Sequence, residues 1–116
     1  MTYQERKDRA AQFCTILQET LNKKGNDYAS DQEAFSNFRN TANCLKLRPE
    51  KVFLSEIVKK VSRIVELLEK EAANESIYDS VLDIAGYACL LDGYLYGEKG
   101  EVNDKVGNIK TRCTLE

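Results

Sequence analysis

The chain contains no histidine. Ser-His and Cys-His nucleophilic machinery is therefore excluded, as is any imidazole general base. Chemistry here would have to rest on carboxylates, lysine, tyrosine or a metal-bound water. No apolar run approaches the roughly 20 residues that a membrane-spanning helix needs, so no membrane association is expected. Strand-like alternation is nearly absent. The four cysteines, Cys14, Cys44, Cys89 and Cys113, stand far apart with no CxxC pair. A zinc site is not expected from that spacing, and reduced thiols of a cytoplasmic protein are the plain reading. A net charge of −2 gives no electrostatic case for non-specific binding of duplex nucleic acid. The N-terminal MTYQERKDR is charged from its start and carries no apolar signal region, so export is not expected.

What is present is helical. A length of 116 residues with 42% hydrophobic and 31% charged content describes one globular domain with a single core. Thr2-Tyr3-Gln4-Glu5 is a capping box, threonine followed three residues later by glutamate. It opens a helix over about 3–24 with Ala10, Phe13, Leu17 and Leu21 as its apolar row, flanked by Cys14 and Ile16. Lys23, Lys24 and then Gly25 predict its end. A polar loop over 25–34 leads to a short helix around Phe35 to Leu45. Pro49 suits the first position of the next helix, about 49–72, whose apolar face runs Leu54, Ile57, Val58, Val61, Ile64, Val65 and Leu68. Asn74 caps a last helix to about 96, ended by Gly97. Its apolar row is Ile77, Val81, Ile84, Ala88, Leu91 and Leu95. The expected fold is thus all-α, an antiparallel helical bundle of three long helices and one short one. It comprises a domain over 1–96 and a polar, glycine-rich tail over 97–116.

The last helix also carries a second row. Glu75, Asp79 and Asp83 are each four residues apart, so they share one flank, and Tyr87 continues it. Like charges at this spacing repel. The row is either solvated or supplied with a cation, and no Lys or Arg lies between Asn74 and Leu95. The preceding helix carries a basic strip of Lys59, Lys60 and Arg63, with Glu56 and Glu66 within pairing distance. Set side by side, the rows have two readings. They are the halves of a nucleotide site, carboxylates for Mg²⁺ and cations for phosphate, or they neutralise each other as salt bridges. Asp27 and Tyr28 in the first loop and Asn37 and Arg39 beside two phenylalanines suit base stacking, edge reading and phosphate contact. Phe35 and Phe38 equally suit a core. Apolar residues off the main rows, including Val52, Phe53, Leu67, Leu82, Leu90, Tyr94 and Tyr96, exceed what three long helices can cover. A homodimer or higher homo-oligomer is expected from them.

The blocks KGNDYAS, FSNFRNTA, KKVSRI and ESIYDSVLDIAGYACLL occur in that order and resemble the phage nucleotide modification associated domain family, type 1. The resemblance spans about Lys23 to Leu91. That family is similar to the all-α pyrophosphohydrolases of MazG and dimeric dUTPase type, which cut nucleoside triphosphates with Mg²⁺ held by acidic residues of two adjacent helices, and which assemble as oligomers. Carried over by position, the resemblance implies a phage-type cytoplasmic nucleotide-binding protein. Glu75, Asp79 and Asp83, together with Glu56, would be metal ligands; Asp27, Tyr28, Asn37, Arg39, Lys59, Lys60 and Arg63 would be nucleotide contacts. Catalytic residues are not assigned. The spacing from Glu75 to Asp79 is ExxxD where the enzymes have ExxD, and Lys59-Lys60 stands where their first metal helix carries further glutamates. An Mg²⁺-dependent pyrophosphohydrolase therefore has two rivals: a non-catalytic binder that sequesters a host signalling nucleotide as an anti-defence sponge, and a purely structural helical oligomer.

Overall fold

The computed structural model describes residues 1–28, 35–70 and 74–98, with the side chains of 24–28 and 98 left aside. All the regular structure described is helical: α1 (Tyr3–Tyr28), α2 (Ser36–Leu45), α3 (Pro49–Leu67) and α4 (Asn74–Glu98). The all-α expectation holds. Most of the tail predicted over 97–116 lies outside the described residues, and no helix among them is long and apolar enough to cross a membrane.

The element boundaries follow from local chemistry. The capping box forms, with the Thr2 amide donating to Glu5 Oε2 at 2.6 Å and the Glu5 amide to Thr2 Oγ1 at 3.1 Å. The helix that it opens does not stop at Gly25. It runs on to Tyr28, because glycine inside a helix costs only about 1 kcal/mol and a stop needs a left-handed residue as well as a glycine. α2 has that stop at a lysine. Lys46 takes φ 56°, and the Lys46 and Leu47 amides donate back to the carbonyls of Asn43 and Ala42. α3 begins as expected, with extended Arg48 preceding Pro49 at N1. It ends at Leu67, earlier than the predicted 72, in a tightened turn where the Glu69 and Lys70 amides bond to the Glu66 and Leu67 carbonyls.

The core is an aromatic cluster where α2, α3 and α4 meet. Phe53 is fully buried and stacks on Phe38, with ring centroids 4.1 Å apart and planes 14° apart. Phe35 meets Phe53 and Tyr94 edge-on, and Tyr87 closes the cluster against Phe38. Ala42, Val52 and Tyr94 complete the buried apolar set, and Ser80 is the buried polar residue among those described. Such aromatic pairs contribute about 0.5–1.5 kcal/mol beyond their buried area. α3 and α4 run antiparallel, since Phe53 meets Tyr94 while Lys60 meets Asp83. Among the described elements α1 lies on α4, with Arg9 at Tyr78 and Leu21 at Gly86, so it follows α4 in the same direction. Its half-buried line is Phe13, Ile16, Leu17, Thr20 and Leu21, and Ala10 is exposed.

The apolar faces differ from expectation in one consequential way. Val52 and Phe53, which lie off the predicted row of α3, are its buried residues. Five members of that row, Leu54, Val58, Val61, Val65 and Leu68, are between 47% and 68% exposed. In α4, Val81 and Ala88 of the expected row are exposed, while Tyr94, off it, is buried.

Candidate functional site

Two of the polar residues singled out by the sequence, Lys60 and Asp83, meet where α3 and α4 pass each other, one step along from the aromatic cluster. Lys60 Nζ lies 3.0 Å from Asp83 Oδ2, with the two side chains 29% and 25% exposed. This ion pair joins two helices. Its acid side belongs to the Glu75, Asp79, Asp83 flank of α4, and its basic side to the strip on α3. Four-residue steps keep the acidic flank together on α4. Along it, Asp83 is half-buried, Glu75 and Asp79 face solvent, and Tyr87 turns into the aromatic cluster.

The basic strip does not act as one surface. Lys60 is about 100° around the helix from Lys59 and turns to α4. Lys59 pairs with Glu56 on its own helix at 3.1 Å, and Arg63 is exposed. Glu56, expected as a fourth metal ligand, is therefore engaged by Lys59. Among the described residues, no group of three or more carboxylate or thiolate side chains converges to hold a metal ion. As arranged, the donor set does not fit a preformed Mg²⁺ site, because two of its four members have lysine partners and the other two point to solvent. Cys14, Cys44 and Cys89 are free and exposed.

The remaining residues fall to different places. Asn37 is exposed on the first turn of α2. Arg39 leans into the cluster, its guanidinium 5.3 Å from the centre of the Tyr94 ring. Asp27 and Tyr28 belong to the last turn of α1 rather than to a loop, and their side chains are outside the described residues. The structure thus joins Lys60 to Asp83 and sets Arg39 against the core, and it separates Lys59 and Arg63 from the carboxylate flank.

Sequence reasoning missed two polar positions beside this flank. Ser80 is buried. The Tyr78 hydroxyl is buried with no hydrogen-bond partner among the described residues, and the Arg9 guanidinium lies 5.4 Å from the Tyr78 ring centre. Their signal was positional: both neighbour Asp79 in sequence, about 100° to either side of it around the helix, and Tyr78 is on the side of α1. The arrangement offers a partly buried ion pair between two helices, in which an anion can in principle meet Lys60 and a cation Asp83. No protein-family model matches the chain, and neither a curated protein nor a solved structure is significantly similar to it.

Proposed function

We propose that this protein binds a nucleotide along the α3/α4 groove, with phosphate drawn to Lys60 and the carboxylate flank of α4 beside it. The reading is carried by the Lys60–Asp83 pair, partly buried between two helices and flanked by the open carboxylates Asp79 and Glu75. A phosphate takes Lys60 from Asp83 by charge-assisted hydrogen bonding. Asp79 and Glu75, exposed on the same flank, are the carboxylates open to the Mg²⁺ that accompanies nucleotide phosphates. Arg39, Asn37, Lys59, Arg63, Asp27 and Tyr28 are the further contacts in this reading. The resemblance to the phage nucleotide modification associated domain family supports it, and with it a homo-oligomer working in the cytoplasm of a phage-infected cell.

Sequestration without turnover is favoured over hydrolysis. Lysines hold Asp83 and Glu56, so no hydrolytic step is derived through a metal. The test incubates the protein with a nucleotide panel, with and without Mg²⁺, and analyses the nucleotides by chromatography before and after denaturation. Intact ligand released only on denaturation is the expected outcome. Mg²⁺-dependent product that is lost in Asp79→Ala would establish the hydrolase instead. A panel neither bound nor altered removes nucleotide binding altogether and leaves the structural oligomer.

A further inference from the structure

The exposed apolar residues of α3 and its C-cap Leu68 are not scattered. Leu54, Val58, Val61, Val65 and Leu68 are separated by steps of four, three, four and three, which is the spacing of a two-helix seam. All five are 47–68% exposed. The adjacent row Phe53, Ile57, Ile64 and Leu67 is buried or half-buried, on the side where α3 meets α4 and the aromatic cluster. The helix therefore has two apolar seams about 100° apart, and one has no partner within the described residues.

We infer that this second seam is the interface between two copies of the chain, with α3 packed antiparallel on α3 of its partner about a two-fold axis at Val61. Three observations select this occupant. The seam reads Leu-Val-Val-Val-Leu in both directions, so it is complementary to itself when reversed. Leu54 then faces Leu68 of the partner subunit, Val58 faces the partner's Val65, and Val61 meets its own copy. This is the isologous matching that a two-fold interface requires.

The charges at the ends choose the direction. Exposed Lys51 occupies the next position of the seam, ten residues before Val61, and exposed Glu69 flanks it eight residues after. At about 1.5 Å per residue through α3, and about 2 Å over the tightened turn that follows Leu67, reversal brings Lys51 and the partner's Glu69 to nearly the same level at both ends. A parallel pair in register would set Lys51 against Lys51 of the partner subunit.

Area and sterics agree. The five residues expose on the order of 500 Å² per copy, so the two seams together supply at most about 1,000 Å², and flanking residues must add to it to reach a stable interface. Ser55 and Ser62, small and exposed at the edge of the seam, allow close approach. The result is a four-helix bundle of α3, α4 and their copies. This deepens only the homo-oligomer part of the proposed function. It does not require nucleotide.

The experiment uses the full chain and reads mass by light scattering after size exclusion over a micromolar series, with circular dichroism as the check on folding. Wild type is expected to be a dimer. Val61→Glu, which places two carboxylates on the axis, is expected to be monomeric at the same helicity. Lys51→Glu and Glu69→Lys should each weaken the dimer roughly threefold to tenfold, and the double exchange should restore it. A monomeric wild type overturns the inference, whether the seam stays bare or another segment of the chain covers it. A dimer that survives Val61→Glu overturns it as well. If Val61→Glu loses helicity, the charge exchange decides: failure of the double variant to recover rejects the antiparallel register. Nucleotide binding is read separately, so either proposal can fail alone.

Discussion

α3 carries two apolar rows, one residue apart in sequence and alike in composition, with opposite fates. The row through Phe53, Ile57, Ile64 and Leu67 lies against α4 and the aromatic cluster, and Phe53 loses all contact with solvent. The row through Leu54, Val58, Val61, Val65 and Leu68 stays about half exposed. Apolar periodicity states that a face is to be covered; it does not state by what. The inner row stabilises the monomer through aromatic packing. The outer row, about half exposed, contributes less to the packing of the described helices.

The sharpest way to break this comparison is to cut one residue from each row. Phe53→Ala removes the ring at the centre of the cluster and should destabilise the fold by about 3–5 kcal/mol, measured by urea denaturation. Val61→Ala should cost the monomer no more than about 0.5 kcal/mol, as at other surface sites, with its effect confined to concentration-dependent stability. Equal losses at both positions would erase the distinction between the rows.

A smaller effect is expected at the polar edge of the inner row. The Lys60–Asp83 pair is only partly buried, so a double-mutant cycle with Lys60→Met and Asp83→Asn should give a coupling of about 0.5–1 kcal/mol, falling with added salt. A coupling of several kcal/mol would mean that the pair holds the helices together and is not free to exchange with a ligand. That outcome would weaken the proposed function directly.

The helix opposite the inner row allows a stabilising test of similar size. A Cβ at Gly93 would sit 3.5 Å from Phe35 Cζ, and one at Gly86 would sit 3.7 Å from Leu21 Cδ2. Both are ordinary contacts. Gly93→Ala and Gly86→Ala should each raise stability by about 0.5–1 kcal/mol through helix propensity alone. A loss at Gly93 would show that α4 packs closer to Phe35 than this geometry has it.

The smallest effect belongs to α1, which among the described elements lies on α4. Thr2→Ala deletes the capping box, a local loss of about 1 kcal/mol. It should appear as faster amide exchange in the first turn with an almost unchanged global transition, because the end that it frays carries little of the core.

Much of this was legible in the residues themselves. Thr2 and Glu5 announced the start of α1 and Pro49 the start of α3, because capping and proline geometry act within a single turn. The grouping of Glu75, Asp79 and Asp83 followed from helix geometry. The end of α1 at Tyr28 did not follow from Gly25, since a glycine permits a stop without enforcing one.

The candidate site was half legible. That an acidic flank and a basic strip would oppose each other could be read. That only Lys60 of the three cations reaches the carboxylates could not, because it depends on the rotation of α3 about its own axis. The same rotation buries Phe53 and Val52 and turns Leu54, Val58 and Val61 outward.

Local chemistry was enough to specify the four helices described and to exclude imidazole chemistry, since capping, apolar period and residue content are properties of neighbours within a turn or two. The tertiary structure alone decided which apolar row of α3 became core, which lysine met Asp83 and which way Arg39 turned. Those outcomes depend on how aromatic side chains distant in sequence pack around Phe53, and a shift of one residue in that packing rotates every other side chain of the helix by about 100°.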